Sequence, residues 1–512
     1  MWQRPHTRFA LMVFLMCCAL GAASCAVPLG PGYVVEKQEI RVEFAPPAQL
    51  IHIEADYDLR NTGTRAIREM EILLPAGRRL HHGPATIKWD GAEITAESAP
   101  DRSRNSVLRF LQPWPVATAH SLRIAYDILP PGENADALGF AADAFYLPAA
   151  GWSPELPQIP GLFGFGGVPP KRWELVVSVP DGFLVHTSGT LQKASRQKAR
   201  AQTLRALQTV ADRYPFVVAG RYSASETRSA HQELILWSRA SGSSGALRQA
   251  RGDLARTIDI YNESFGAPPN RGKTFWIVEC PVSRGCLPRF RSGDTPAGDE
   301  APSGELVSSD TVMVDPGSGA PELAADAAPS LAASWLGYGR NPGFYVQTPP
   351  LSQLPMFAAA QAREAIRGAA VRNETILSTL RLVPEMREAK TADAPRPAPP
   401  PEDERVLRAK SLLFFYALED RYGRQAFRNA ITHMLYARAA RGFDLDDLIA
   451  AFEQETHQKV AEFVRLWMKH PGVPEEFRSR YENRAGDNAA AQPASRPTFL
   501  AAATLHLQGE LP

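Results

Sequence analysis

Residues 328–337 read APSLAASWLG, a run of small side chains that ends in Trp335, Leu336 and Gly337. It holds no strong acid, base or nucleophile, and the hydroxyls of Ser330 and Ser334 are poor bases at neutral pH. Pro329 lacks an amide hydrogen and clashes with the preceding turn, so a helix through this stretch must begin or kink there. Upstream, LRQARGDLARTIDIYNESFG places Leu254, Ile258 and Tyr261 at helical spacing and stops at Gly266. The strand-like runs KTFWIVEC and LVSSDTVMVDPG separate that helix from the opening stretch. Residues 230–385 therefore read as a mixed α+β domain.

Toward the N-terminus the texture changes. In LIHIEADYDLRNTGTRAIREMEILLP, Ile51, Ile53, Ala55, Tyr57 and Leu59 alternate with His52, Glu54, Asp56, Asp58 and Arg60. Period-two alternation marks a half-buried strand, and Asn61 to Gly63 supplies a turn into a second one. The pattern returns in SLRIAYDILP and WELVVSVPDGFLVHTSG, so residues 31–223 read as an all-β domain, an antiparallel sandwich or saddle. The Pro-, Gly- and aromatic-rich YLPAAGWSPELPQIPGLFGFGGVPPKRW interrupts it as a loop packed on the sheet. Its GFGG lacks the strand-to-helix setting of a phosphate loop.

Toward the C-terminus, residues 386–405 include REAKTADAPRPAPPPEDER, a linker by composition. Beyond it, 406–483 reads as helical, with Ala409, Leu412, Leu413 and Tyr416 on one face and Asp444 capping a helix whose third position is Asp447. The low-complexity stretch 484–512 reads as a disordered tail.

At 512 residues the chain is long enough for three or four units. Its 56 basic and 55 acidic side chains are scattered, which excludes a nucleic-acid footprint. Residues 1–25 read as an export signal: Arg4 and Arg8 precede an apolar run from Phe9 to about Ala23, shorter than the ~20 residues that span a bilayer. No transmembrane segment follows. Cys25 fits a lipoprotein cleavage site, so the mature chain is either lipid-anchored through it or cleaved and released. Either way it is expected in the periplasm or outer cell envelope. Cys17 and Cys18 leave with the signal, and Cys280 and Cys286 in ECPVSRGC are expected to form a disulfide rather than an incomplete zinc shell.

This order of domains resembles the gluzincin zinc aminopeptidases, the alanyl-aminopeptidase family, over roughly residues 35–480. YNESFGAPPNRGKTFWIVE is similar to the family's helix, Phe-Gly, Pro-rich turn and strand. The passage from KSLLFFYALEDRYG to WMKHPGVPE is similar to its C-terminal helices. The third match is the opening stretch, similar to the end of the family's zinc helix, His-Glu-x-x-His followed by Gln-Trp-Phe-Gly. The resemblance implies a multidomain chain with a β domain, a thermolysin-like α+β domain and a helical segment.

In that family the two histidines bind zinc, the Glu activates water, and a Glu about twenty residues later completes the shell. With Trp335 and Gly337 on the retained scaffold, Pro329 and Ala333 stand at the histidines and Ser330 at the general base. LSQLPMFAAAQAREA puts Pro355 at the third ligand, or Ser352 when counted without insertions; Glu364 is the nearest acid. Arg408, before Lys410 and Ser411, stands at the transition-state tyrosine. The Gly-x-Met-Glu-Asn element, expected near GDEAPSGELV, is missing. Of the eleven histidines none lies between His231 and His433, so a local histidine-ligated zinc is excluded in any register.

The sequence thus predicts a peptidase-like protein without peptidase chemistry and without zinc, binding a peptide or protein in the former cleft. The alternative is a hydrolase with a zinc-free site. It requires carboxylates gathered before Arg408 or Tyr338, or His433 brought to Ser330 or Ser334, and it fails if Leu331, Trp335, Met356 and Phe357 fill the cleft. His81 and His82 read as an exposed turn, and Asp310, Asp315, Glu322 and Asp326 as solvated loop charges.

Overall fold

The computed structural model describes residues 32–491 except 46–49, 75–80, 99–104, 130–139, 149–151, 157–169, 198–200, 208–214, 240–244, 268–273, 282–303, 309, 316–319, 337–349, 384–403, 438–442 and 471. Cys25, Cys286, Gly337, Tyr338, the GFGG run and most of the 386–405 linker lie outside the described residues.

The alternating stretch forms the strand Leu50–Asn61, with Ile51, Ile53, Ala55, Tyr57 and Leu59 buried as their period requires. It pairs with Tyr33–Ala45 on one side and Ala119–Leu129 on the other, at the centre of a nine-stranded sheet. The outer face carries the charges: Asp56 takes Arg41 at 2.9 Å and Arg123 at 2.6 Å. The sheet is mixed rather than antiparallel, because Tyr33–Ala45 also pairs in parallel with Trp173–Pro180. A parallel pair needs a long connection, here the whole of residues 46–172. Asn61 to Gly63 does not close a hairpin, since Ile67–Leu73 pairs with Asn105–Trp114 in a separate three-stranded sheet. His81–His82 is a two-residue strand on Ala119–Leu129, not a turn. The described part of the Pro-rich loop packs on the sheets: Trp152 is fully buried, and its carbonyl accepts from Tyr126 Oη at 2.6 Å.

A four-stranded sheet joins Phe140–Ala141, Ala144–Leu147, Val217–Gly220 and Leu184–Thr187. Its alternate residues face opposite ways. Phe145, Leu147, Val217 and Ala219 join the core of the β region, whereas Ala144, Tyr146 and Val218 join a small separate core.

Arg221 alone separates that sheet from Tyr222–Arg228, the first strand of a five-stranded sheet ordered Tyr222–Arg228, Glu233–Arg239, Thr274–Glu279, Thr311–Val314, Gly304–Ser308. The two inner pairings are parallel and the outer two antiparallel. Its inner strands, covered on both faces, are mainly apolar, whereas the edge strand Tyr222–Arg228 is mostly polar and exposed beyond Tyr222. Leu234, Leu236, Phe275, Ile277, Val312 and Val314 face the helices, and Trp237, Val278 and Met313 face the β region.

Helices α1 (Gly245–Phe265) and α2 (Ala320–Trp335) lie on the first face, α3 (Leu354–Arg367) packs on both of them, and α4 (Ala370–Leu380) packs on α3. Beyond the linker come α5 (Glu404–Tyr422), α6 (Arg424–Ala437), α7 (Leu445–Thr456), α8 (Ala461–Lys469) and α9 (Glu475–Ala491). Asp444 caps α7 as its sequence predicts, accepting from Asp447 N at 2.9 Å while its own N–H gives to Asp447 at 3.2 Å. Two divisions drawn from sequence are corrected. α9 runs to Ala491, past the boundary at 483. The helices after the linker share one apolar core with the middle sheet, from Leu234 through Phe357 and Phe415 to Tyr481, so a composition break does not separate two folding units here.

Candidate functional site

Helix α2 starts at Ala320, so Pro329 neither begins it nor sits in its first turn. The reason Pro329 is tolerated lies one turn back. The carbonyl left without a donor is that of Ala325, an exposed residue where water can serve it. From Ala327 to Leu336 every residue is buried.

The helix is fixed by the segments that resemble the zinc aminopeptidases. Trp335, 1% exposed, donates from Nε1 to Gly266 O at 3.0 Å. It stacks on Phe275 with ring centres 5.2 Å apart and meets Tyr261 edge-on at 5.4 Å. Tyr261 Oη in turn donates to Ala328 O at 2.9 Å, and burial raises its hydroxyl far above its ordinary range. Gly266 ends α1 with φ +75, and a Cβ there would lie 2.8 Å from Tyr436 Oη. The left-handed conformation favours glycine, whereas the exposed Tyr436 side chain could move aside.

On this frame Pro329, Ser330 and Ala333 occupy one helix face at positions i, i+1 and i+4, all buried. They offer one hydroxyl and no imidazole, thiolate or carboxylate, a donor set that does not fit a zinc ion. Ser334 Oγ is buried without a hydrogen-bond partner among the described residues. Pro355 is half-buried near the start of α3, and Ser352 lies in the short turn Leu351–Gln353 before it. Arg408 is exposed on α5, and nearby Lys410 gives its ammonium to His470 O at 2.6 Å. Among the described residues no group of three His, Cys, Asp or Glu is placed to hold a metal ion.

Glu364 has another employment. It accepts from Arg424 Nη2 at 2.8 Å and lies 3.6 Å from Arg372 Nη1. Glu419, 4% exposed, binds Arg372 Nη1, Arg424 Nε at 2.8 Å and Gln361 Nε2 at 2.8 Å. Asp420 takes Arg372 Nη2 at 2.8 Å and Tyr481 Oη at 2.7 Å. This cluster ties α3, α4, α5, α6 and α9 together, and sequence reading missed it. Its members, from Gln361 to Tyr481, come from five helices spread along the chain, and no local pattern pairs them.

His433 lines a polar groove of about 530 Å³ with Asn262, Arg428, Tyr436 and Glu455 at the end of α1; neither Ser330 nor Ser334 lines it. Leu331, Trp335 and Phe357 are buried in the helical core, whereas Met356 is 39% exposed and fills nothing. Asp310 is held by Ser308 Oγ at 2.6 Å and Thr311 Oγ1 at 2.9 Å, so it is a loop-ordering acceptor rather than a solvated charge. Cys280 is disulfide-bonded.

No protein-family model matches the sequence, and no curated protein does. Solved structures match its fold. An M1 zinc metallopeptidase from Deinococcus radiodurans superposes with a TM-score of 0.56 at 14% identity, over 87% of this chain and 96% of that one. A mutant of that enzyme bound to a Tyr-Ser-Ala substrate gives 0.57 over the same shares, also at 14% identity. Aminopeptidase A of Legionella pneumophila in complex with aspartic acid gives 0.56 at 13% identity, over 86% of this chain and 50% of that one. At these identities the likeness is one of fold: the β sheets and the helical C-terminal region of this chain are similar to the multidomain fold of the M1 zinc metallopeptidases.

Proposed function

We propose that this chain is an exported aminopeptidase-like protein, without zinc-peptidase chemistry, that acts by binding a peptide or protein in the former cleft. The observation that carries the reading is the face of α2 at Pro329, Ser330 and Ala333, buried and empty of zinc donors, in a middle region with no histidine between His231 and His433. Chemistry that depends on zinc-activated water has no residues to run it there.

A peptide can still be held. Gly304–Ser308 is the edge of the five-stranded sheet, paired among the described strands only with Thr311–Val314, and it lies against α2. Its free side offers backbone groups to an extended chain. The zinc-free hydrolase finds no comparable support. The buried carboxylates Glu364 and Glu419 are committed to guanidinium groups, and the groove that His433 lines includes neither Ser330 nor Ser334.

The reading also takes residues 1–25 as an export signal, with Cys25 either carrying a lipid or lost, and the protein in the periplasm or outer envelope. The test is incubation of the purified chain with a set of short peptides, with and without a chelator, beside a direct binding measurement on the same peptides. Saturable binding without release of amino acids is expected. Chelator-sensitive release of N-terminal residues overturns the proposal.

A further inference from the structure

The β region and the middle sheet meet in the small core formed by Ala144, Tyr146, Phe216, Val218, Tyr222, Trp237, Val278, Cys280 and Met313. His186, 7% exposed, stands in that junction. It belongs to Leu184–Thr187 of the four-stranded sheet, yet its Nε2 lies 2.9 Å from Thr311 Oγ1 on the other side. Thr311 gives its own hydroxyl proton to Asp310 Oδ1 at 2.9 Å. The imidazole must therefore donate from Nε2, and Nδ1 carries no proton in the neutral ring. The ring stacks on Trp276 with centres 4.1 Å apart and meets Phe216 and Trp237 edge-on at 5.4 and 5.8 Å.

Among the described residues the charged groups along the junction are Asp310, Arg239, Asp143 and Glu279. Asp310 stands one hydroxyl away from the imidazole. Arg239, at the end of its strand, pairs with Asp143 across the same junction and donates its backbone N–H to Glu279 at 2.8 Å. Glu279 is fully buried, and burial raises its carboxyl above the usual range, toward the neutral form. Among the described residues no carboxylate contacts the ring itself, so a second proton on it meets desolvation with little compensation. In line with this, burial pushes the imidazole down to about 3.

We propose that His186 makes this junction an acid-operated latch: neutral imidazole holds the β region against the middle sheet, and protonation releases the two as bodies. Release need not unfold either side, because each keeps its own larger core. The hinge is Arg221, the single residue between Val217–Gly220 and Tyr222–Arg228.

The experiment is amide hydrogen exchange of the full chain at pH 7.5 and 5.0, corrected for intrinsic rates. Release is expected to raise exchange in Leu184–Thr187 and Thr311–Val314 about 30-fold at pH 5.0, the ratio set by a base with an unfolded pKa near 6.5. Leu50–Asn61 is expected to stay protected. H186Q keeps a donor without titrating and is expected to abolish the rise. An equal rise in H186Q, or none in the wild type, overturns the latch. If H186Q does not fold, wild-type tryptophan emission decides. A red shift on acidification, as Trp237 and Trp276 meet water while far-UV dichroism holds, supports release; an unchanged maximum down to pH 4.5 overturns it.

Discussion

Pro329 deprives α2 of one backbone hydrogen bond in the middle of its length, and the carbonyl it frees belongs to the exposed Ala325. Water takes up part of the cost, but the lost donor and the ring clash remain. Pro329→Ala is therefore expected to stabilise the chain by about 1–3 kcal/mol in urea unfolding. Trp335 works in the opposite direction, anchoring the same helix to Gly266, Phe275 and Tyr261. Trp335→Ala leaves a cavity and an unpartnered carbonyl, and about 3–5 kcal/mol of destabilisation is expected by the same measurement. The scaffold residues were legible in the sequence because each sits beside a marker with one physical meaning: a glycine ending a helix, a tryptophan near small residues. The start of the helix was not legible, since a proline signals a break and only tertiary packing carried the helix through it.

Among the elements, the alternation in Leu50–Asn61 was read directly from sequence because period two reports burial residue by residue. Its parallel neighbour pair was not, because pairing between Tyr33–Ala45 and Trp173–Pro180 depends on segments far apart in the chain. The same limit hid the buried ion cluster. Glu419 meets Arg372, Arg424 and Gln361 from three other helices, and Glu364 belongs to that cluster. Glu419→Gln keeps the shape and removes the charge, leaving two guanidinium groups undercompensated. A loss of about 3–5 kcal/mol is expected in equilibrium unfolding. A change near zero would show that the cluster is solvated and does not join the helices.

For the whole molecule, His186 couples pH to the contact between the β region and the middle sheet. Its folded-state value, about 3, lies below the ordinary 6.5, so the unfolded chain binds the proton more readily. The stability contribution is complete above pH 6.5 and is lost as pH falls toward 3, at about 1.4 kcal/mol per unit. Roughly 2 kcal/mol is expected to be gone at pH 5, read from urea midpoints at pH 7.5 and 5.0, and H186Q should lack that component.

The passage from β sheets to a helical C-terminal region was legible at this scale because the texture changes from period two to helical spacing, while the shared core across the linker was hidden by the linker's composition. The central claim, a metallopeptidase fold without metallopeptidase chemistry, meets its most direct test in the zinc content of the purified chain. Elemental mass spectrometry after growth with added zinc is expected to give well under one zinc per chain. One tightly held zinc per chain, retained through dialysis, would contradict the account.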